Sequence, residues 1–174
     1  LRLCGIECSE NIYTSNKVLV FNLGFDGPSA VKDHWIYFPD KDTSFYRVGF
    51  YNNIIKSNRM SLYVELGIKS TEKIDESQIL KKVLQDLKKH NIIRDQNLIS
   101  RKAITMNPAY VHVKKESIDD LAIKNKTLNS CGIYSIGRYG GWKYCSIEDN
   151  VIEAKKVYDS LVGVTKKVHK DDIR

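Results

Sequence analysis

The residues best suited to chemistry crowd one stretch, from Gly132 to Asp149. Arg138, Trp142, Lys143 and Tyr144 sit on or beside a turn built from Gly137, Gly140 and Gly141. A plain glycine turn ahead of a surface helix needs none of these four side chains. Glycines let the backbone bend sharply or come close to a ligand. Where a strand feeds a helix through such a turn, free N–H groups point outward and can hold phosphates or cofactors. The glycine spacing is not G-x-G-x-x-G, so the general dinucleotide fingerprint is absent. Glu148 and Asp149, at the start of the following helix, oppose a phosphate there. A neutral, electron-rich group suits that helix end better.

The elements that must position this turn are legible on both sides. Ile133, Tyr134 and Ile136 read as a short buried strand entering it. Ser146 followed by Asp149 is a capping-box-like helix start. Beyond it, Ile147, Val151, Ala154, Tyr158 and Leu161 recur at steps of four and three, one apolar helical stripe. Upstream, residues 17–25 (KVLVFNLGF) read as a central strand apolar on both faces. Residues 34–39 and 44–51 read as two aromatic-rich strands of a hairpin turning at 40–43. Met60, Leu62, Val64, Leu66 and Ile68 alternate with polar or small neighbours, the pattern of a half-buried strand. Asp75 with Gln78 opens a helix whose inner face is Ile79, Leu80, Val83, Leu84 and Leu87, ending near His90-Asn91. Residues 97–113 look extended, interrupted at Asn107-Pro108, and Ser117 with Asp120 starts a short helix to about Asn129. This order predicts an α+β fold, an antiparallel or mixed sheet with helices packed on it.

The stretch Gly137-Arg138-Tyr139-Gly140, then Trp142-Lys143-Tyr144, then a helix, resembles the last strand-turn-helix of UDP-galactopyranose mutases and related FAD-dependent amine-oxidase-type enzymes. In that family the turn passes over the flavin ring and the helix start faces its pyrimidine edge. The resemblance implies Gly137, Arg138, Ser146 and Ile147 as cofactor contacts, with FAD carrying the chemistry and no catalytic side chain. It extends to residues 39–48, where the mutases bring an arginine to the substrate (here Arg47), and to Pro108-Ala109-Tyr110, which supplies a tyrosine to the substrate diphosphate. Arg47, Tyr110, Arg138 and Tyr144 would then line one pocket for a UDP-hexose. Arginine's planar fork suits a diphosphate, and tyrosine hydroxyls add neutral donors. Arg47 reads equally well as a strand arginine in a cross-strand ion pair, and Tyr110 as a core tyrosine. Trp142 reads as packing. One position departs from the mutase pattern: an aspartate usual two residues after the equivalent of Tyr144 is Ser146 here.

By the same resemblance, residues 1–115 form most of a substrate domain, 116–165 complete a Rossmann-like FAD domain, and 166–174 are a polar tail. The chain begins at Leu1 without methionine, and the resemblance implies a carboxy-terminal piece of a larger enzyme, the missing half holding most of the FAD. Such a piece is expected to be inactive alone and to expose apolar surface, with homo-oligomerisation one way of hiding it. The implied activity is interconversion of the pyranose and furanose forms of a UDP-sugar for cell-surface polysaccharide synthesis. An amine-oxidase-type flavin oxidoreductase is the alternative. A non-enzymatic basic module binding an anionic partner is a third reading, and it requires a complete, closed core.

Composition sets the outer limits. The 174 residues are 42% hydrophobic and 28% charged, enough for a real core and unlike a disordered chain. The net charge of +7 suits an anionic partner, but the basic residues are spread rather than gathered, which argues against nucleic acid. Four cysteines form no C-x-x-C and the four histidines are scattered, so no metal site is expected. No apolar run approaches a membrane span and no signal peptide is visible, so the expected location is cytoplasmic, with reduced thiols.

Overall fold

Five apolar segments of the chain pair into one antiparallel sheet. In the computed structural model, which describes residues 4–9, 11–69 and 71–171 (side chains only as far as 163), the strands are β1 (Lys17–Phe25), β2 (Trp35–Tyr37), β3 (Arg47–Phe50), β4 (Ser61–Ile68) and β5 (Leu98–Met106). Their spatial order is β2-β3-β4-β1-β5. The helices are α1 (Tyr51–Ile55), α2 (Glu76–Lys89), α3 (Lys115–Ser130), the single turn α4 (Gly137–Gly140) and α5 (Ile147–Asp171). The α+β class read from the sequence is the observed one. The chain divides into two compact units, Asn16–Ala109 on one side and Leu1–Ser15 with Tyr110–Arg174 on the other.

The sheet unit is built by alternation. β1 pairs β4 from Lys17↔Ile68 to Gly24↔Ser61, and pairs β5 from Val18↔Met106 to Phe25↔Leu98 with a register shift at Gly24/Phe25. Leu19, Phe21 and Leu23 therefore share a face with Leu62, Val64 and Leu66, and with Val48 and Phe50 of β3. Leu80, Val83 and Leu87 of α2 complete one core with these residues, joined by Ile92 and Ile93. Asp75 caps α2 as expected, accepting from the N–H groups of Ser77 and Gln78 at 3.1 Å each. The β2–β3 hairpin also forms, closed by Phe38 N–H on Tyr46 O and turning at Asp40–Thr43.

Four local readings need correction. β1 is fully buried along Leu19, Phe21, Leu23 and Phe25, whereas Val20 and Asn22 on the other face are half covered. The third strand stops at Phe50, and Tyr51 begins the helical turn α1, where Asn52 is buried and its Oδ1 accepts from Ser61 N–H. α3 begins at Lys115, so Ser117 lies inside its first turn, its hydroxyl accepting from Lys114 N–H and donating to Lys114 O. Residues 133–136 are not a buried strand: they join no ladder among the described residues, Ile133 N–H donates instead to Leu128 O, and Ile133 and Tyr134 are exposed. A strand exists only where a ladder accepts its backbone groups. The polar tail expected at 166–174 lies partly outside the described residues; the α5 backbone continues to Asp171.

Candidate functional site

The glycine turn is held from below by α5. Ser146 Oγ accepts from Asp149 N–H at 3.1 Å, and the Asp149 carboxylate accepts from Ser146 N–H at 2.8 Å, a reciprocal capping box. The contacts from Ser146, the N–H group first, hold the Asp149 carboxyl below its ordinary value. One turn further on, Glu153 accepts from the backbone N–H of Gly137 at 2.9 Å and from Lys143 Nζ at 2.8 Å. That single carboxylate ties both ends of the turn to the helix. Lys143 holds the Glu153 pKa down, and Glu153 holds that of Lys143 up. Gly137 has φ +81, and a Cβ there would stand 2.7 Å from Asn150 Oδ1. Both the backbone conformation and the close approach of Asn150 therefore demand glycine.

Above this support lies an open hollow of about 540 Å³. Gly137, Arg138, Ser146 and Ile147, the four residues expected to contact a cofactor, all line it, with Cys145 and Asn150. Ile147 is 86% exposed, an apolar side chain standing on the rim. Arg138 is half-buried. It donates to Cys145 O at 2.9 Å, and its guanidinium lies 5.4 Å from the ring centre of Tyr110 and 5.1 Å from that of Tyr144. Cation–π contacts of this kind hold the plane of an arginine without neutralising it. Among the described residues no carboxylate pairs with Arg138. Three of the four expected substrate residues are therefore one cluster. Trp142 packs instead, edge-on to Tyr13 with ring centres 5.1 Å apart.

The fourth, Arg47, belongs to the sheet unit. It pairs across strands with Glu65, its Nη2 on Glu65 Oε1, and its Nη1 donates to Tyr37 Oη at 3.1 Å. This is the cross-strand ion pair that the sequence left open. Glu65 is buried, and its second oxygen accepts from Tyr46 Oη at 2.6 Å. Burial disfavours the Arg47 charge, yet the bonds to Glu65 and Tyr37 outweigh it and raise its pKa. Trp35, Tyr37, Arg47, Gly49, Tyr63 and Asn22 share this face of the sheet through their pairings. The Tyr63 ring lies on Gly49 so closely that a Cβ would stand 2.1 Å from it.

Sequence reasoning missed Glu153, Asn150 and Glu65. The first two were in reach of it: they lie seven and four residues after Ser146, on the side of α5 that faces back toward its own cap. Glu65 could not be found from the pattern, because it occupies a polar position of an alternating strand and only the register sets Arg47 beside it.

Among the described residues no group of three or more His, Cys, Asp or Glu side chains could hold a metal, and no helix is long and apolar enough to cross a membrane. The cysteines Cys4, Cys8, Cys131 and Cys145 are free.

Fold and hollow together define a class: an antiparallel sheet followed by a helical region that presents a glycine turn on a capped helix. No family model matches the sequence, and no curated protein matches it. Among solved structures, a reduced UDP-galactopyranose mutase shares this fold with a TM-score of 0.77 over 87% of the chain, at 20% identity. The chain spans 35% of that protein's length.

Proposed function

We propose that this chain is the sheet-and-turn portion of a flavin-dependent enzyme acting on a nucleotide sugar, a mutase that interconverts ring forms of a UDP-hexose. The observation that carries the reading is Arg138, set between Tyr110 and Tyr144 on the rim of the hollow. An arginine whose charge is held in place but not cancelled is suited to an oxyanion. The likeness of fold to a UDP-galactopyranose mutase supports the same assignment.

The hollow fits the flavin ring and not the dinucleotide's phosphates. Gly137 N–H is already taken by Glu153, and Glu148 and Asp149 place negative charge at the helix start. The exposed Ile147 and the bare backbone at Gly137 suit the edge of a flat, neutral ring. When bound, a reduced flavin supplies the nucleophile for sugar-ring chemistry. The chain's own residues bind and orient. Arg138 would offset one charge of the diphosphate, Tyr110 and Tyr144 add phenolic donors, and Glu153 with Lys143 keeps the turn rigid.

The test is titration of UDP into the full-length enzyme of which this chain is proposed to be a part, with its FAD reduced. Saturable UDP binding is expected. Arg138→Ala should weaken it roughly thirtyfold, about 2 kcal/mol, the low end for a hydrogen-bonded charge because Arg138 is only half-buried. Arg47→Ala should weaken it less, since Glu65 already balances that charge. A protein that ignores UDP overturns the mutase reading. The balanced Arg47 is also the observation favouring the second reading, an amine-oxidase-type oxidoreductase with a neutral substrate, and that enzyme would have no UDP affinity to lose.

A further inference from the structure

The corner of the glycine turn is occupied by a residue poorly suited to it. α4 ends in a Schellman motif, in which Lys143 N–H donates to Arg138 O at 3.0 Å. The residue before Lys143 must then be left-handed, and glycine usually fills that position. Here it is Trp142, with φ +44. Gly141 beside it has a different reason: a Cβ there would stand 2.9 Å from Gly137 O. The left-handed conformation is a genuine outlier for a bulky side chain. Trp142 also buries an indole N–H that meets no acceptor among the described residues. Both features oppose stability, and strain of this kind persists only where the surroundings over-determine it. Those surroundings reach to α3. The indole stands edge-on to Tyr13, with ring centres 5.1 Å apart. Tyr13 Oη donates to Asp120 at 2.8 Å, Lys124 closes on the same carboxylate oxygen, and Lys124 Nζ lies 5.2 Å from the Tyr13 ring centre. Burial, followed by the bond to Asp120, raises the Tyr13 pKa, so the phenol stays a donor.

We propose that Trp142, braced by Tyr13, is a positioning residue for Arg138, and the assignment rests on Arg138 as the oxyanion-binding group. The left-handed corner turns the chain back directly after α4, so that residues 143–145 return over Arg138. The Arg138 carbonyl accepts from Lys143 N–H, its guanidinium lies 5.1 Å from the ring centre of Tyr144, and it donates to Cys145 O at 2.9 Å. All three partners are the residues that follow Trp142. A backbone angle at residue 142 therefore aims the guanidinium. Glycine would adopt that angle without strain, but it would adopt many others as readily. An indole held against Tyr13 narrows the choice to one. The brace runs from α3 through Tyr13 and Trp142 to Arg138, all within one compact unit.

A double-variant cycle in the full-length enzyme with its FAD reduced tests this. Trp142→Gly should weaken UDP binding about tenfold, less than Arg138→Ala, which bounds any effect exerted through Arg138. On an Arg138→Ala background the same change should cost nothing further. Trp142→Phe, which keeps a ring against Tyr13, should stay within about twofold of wild type. Equal losses from Trp142→Gly on both backgrounds would mark a merely structural contribution and overturn the proposal. A ligand-free measurement separates this from the UDP reading. In enzyme carrying isotope-labelled arginine, the Arg138 side-chain N–H resonance is shifted by the Tyr110 and Tyr144 rings. It should move toward that of a free arginine in Trp142→Gly, and part of the way in Tyr13→Ala. Tyr13→Ala leaves Trp142 in place and carries the test should Trp142→Gly fail to fold. If wild type ignores UDP while this resonance moves, the UDP reading fails and the positioning of Arg138 stands. A resonance that stays in place overturns the positioning role, whatever UDP does. Movement in Trp142→Gly alone overturns the part given to Tyr13.

Discussion

The two units treat the same kind of pattern in opposite ways. In the sheet unit, Leu62, Val64 and Leu66 alternate with polar neighbours and are buried against β1 and α2. In the helical unit, Ile147, Val151 and Tyr158 recur with equal regularity and are exposed. Periodicity states that a face is built to be covered; it does not state that the same chain covers it. The arginines repeat the contrast. Arg47 is balanced by a buried carboxylate, whereas Arg138 is held by two tyrosine rings and a carbonyl. One side of the comparison is finished structure. The other side is surface with work left to do.

The sharpest way to break this contrast is to truncate one apolar residue on each side. Phe21 is 2% exposed at the centre of the core, so Phe21→Ala should cost about 3–5 kcal/mol in a urea melt. Val151→Ala on the exposed stripe should leave the stability from the same melt within about 0.5 kcal/mol of wild type. Equal losses would mean that α5 is already packed. Asp86 gives a smaller effect with a pH signature. It is buried, takes Lys82 Nζ at 2.7 Å and accepts from Ser44 N–H at 2.9 Å. Burial pushes its pKa up, but the contacts from Lys82 and Ser44 prevail and hold it below the ordinary value. A depressed carboxylate adds stability above the unfolded pKa, near about 3.9, and loses it as pH falls through the folded value. Asp86→Ala should therefore cost about 2 kcal/mol at neutral pH, with the gap to wild type closing below about pH 4. A gap that stays constant on acidification would show that the carboxylate charge contributes nothing.

Most of the sheet unit was legible because its signals are local. Alternation located β4, the Asp75 cap located α2, and a four-residue polar turn located the β2–β3 hairpin. The misreadings arose where a segment's state depends on a partner. Residues 133–136 have strand composition but no ladder to join, and Tyr51 leaves its strand because the buried Asn52 holds a turn there. The site was half legible. Gly137, Arg138, Ser146 and Ile147 were named through the resemblance and line one hollow, while Glu65 depended on cross-strand register.

The smallest effect bears on the helix start itself. Ser146 is exposed, and its hydroxyl oxygen accepts the otherwise unpaired N–H of Asp149 while also donating to the Asp149 carboxylate. Ser146→Ala removes the acceptor and leaves that N–H to water, which typically costs about 1 kcal/mol. Asp149→Asn leaves the Ser146 hydroxyl in place and should cost less, since only the return half of the box is altered. Because Ser146 and Ile147 both line the hollow, fraying the first turn of α5 should loosen the rim as well as the helix. Amide hydrogen exchange separates the two consequences. In Ser146→Ala, protection should fall at residues 149–151 and at Gly137, whose N–H depends on Glu153 of the same helix. Loss at 149–151 with Gly137 unchanged would show that Glu153 holds the turn independently of the cap. No loss at either place would show that the helix does not depend on Ser146 for its start.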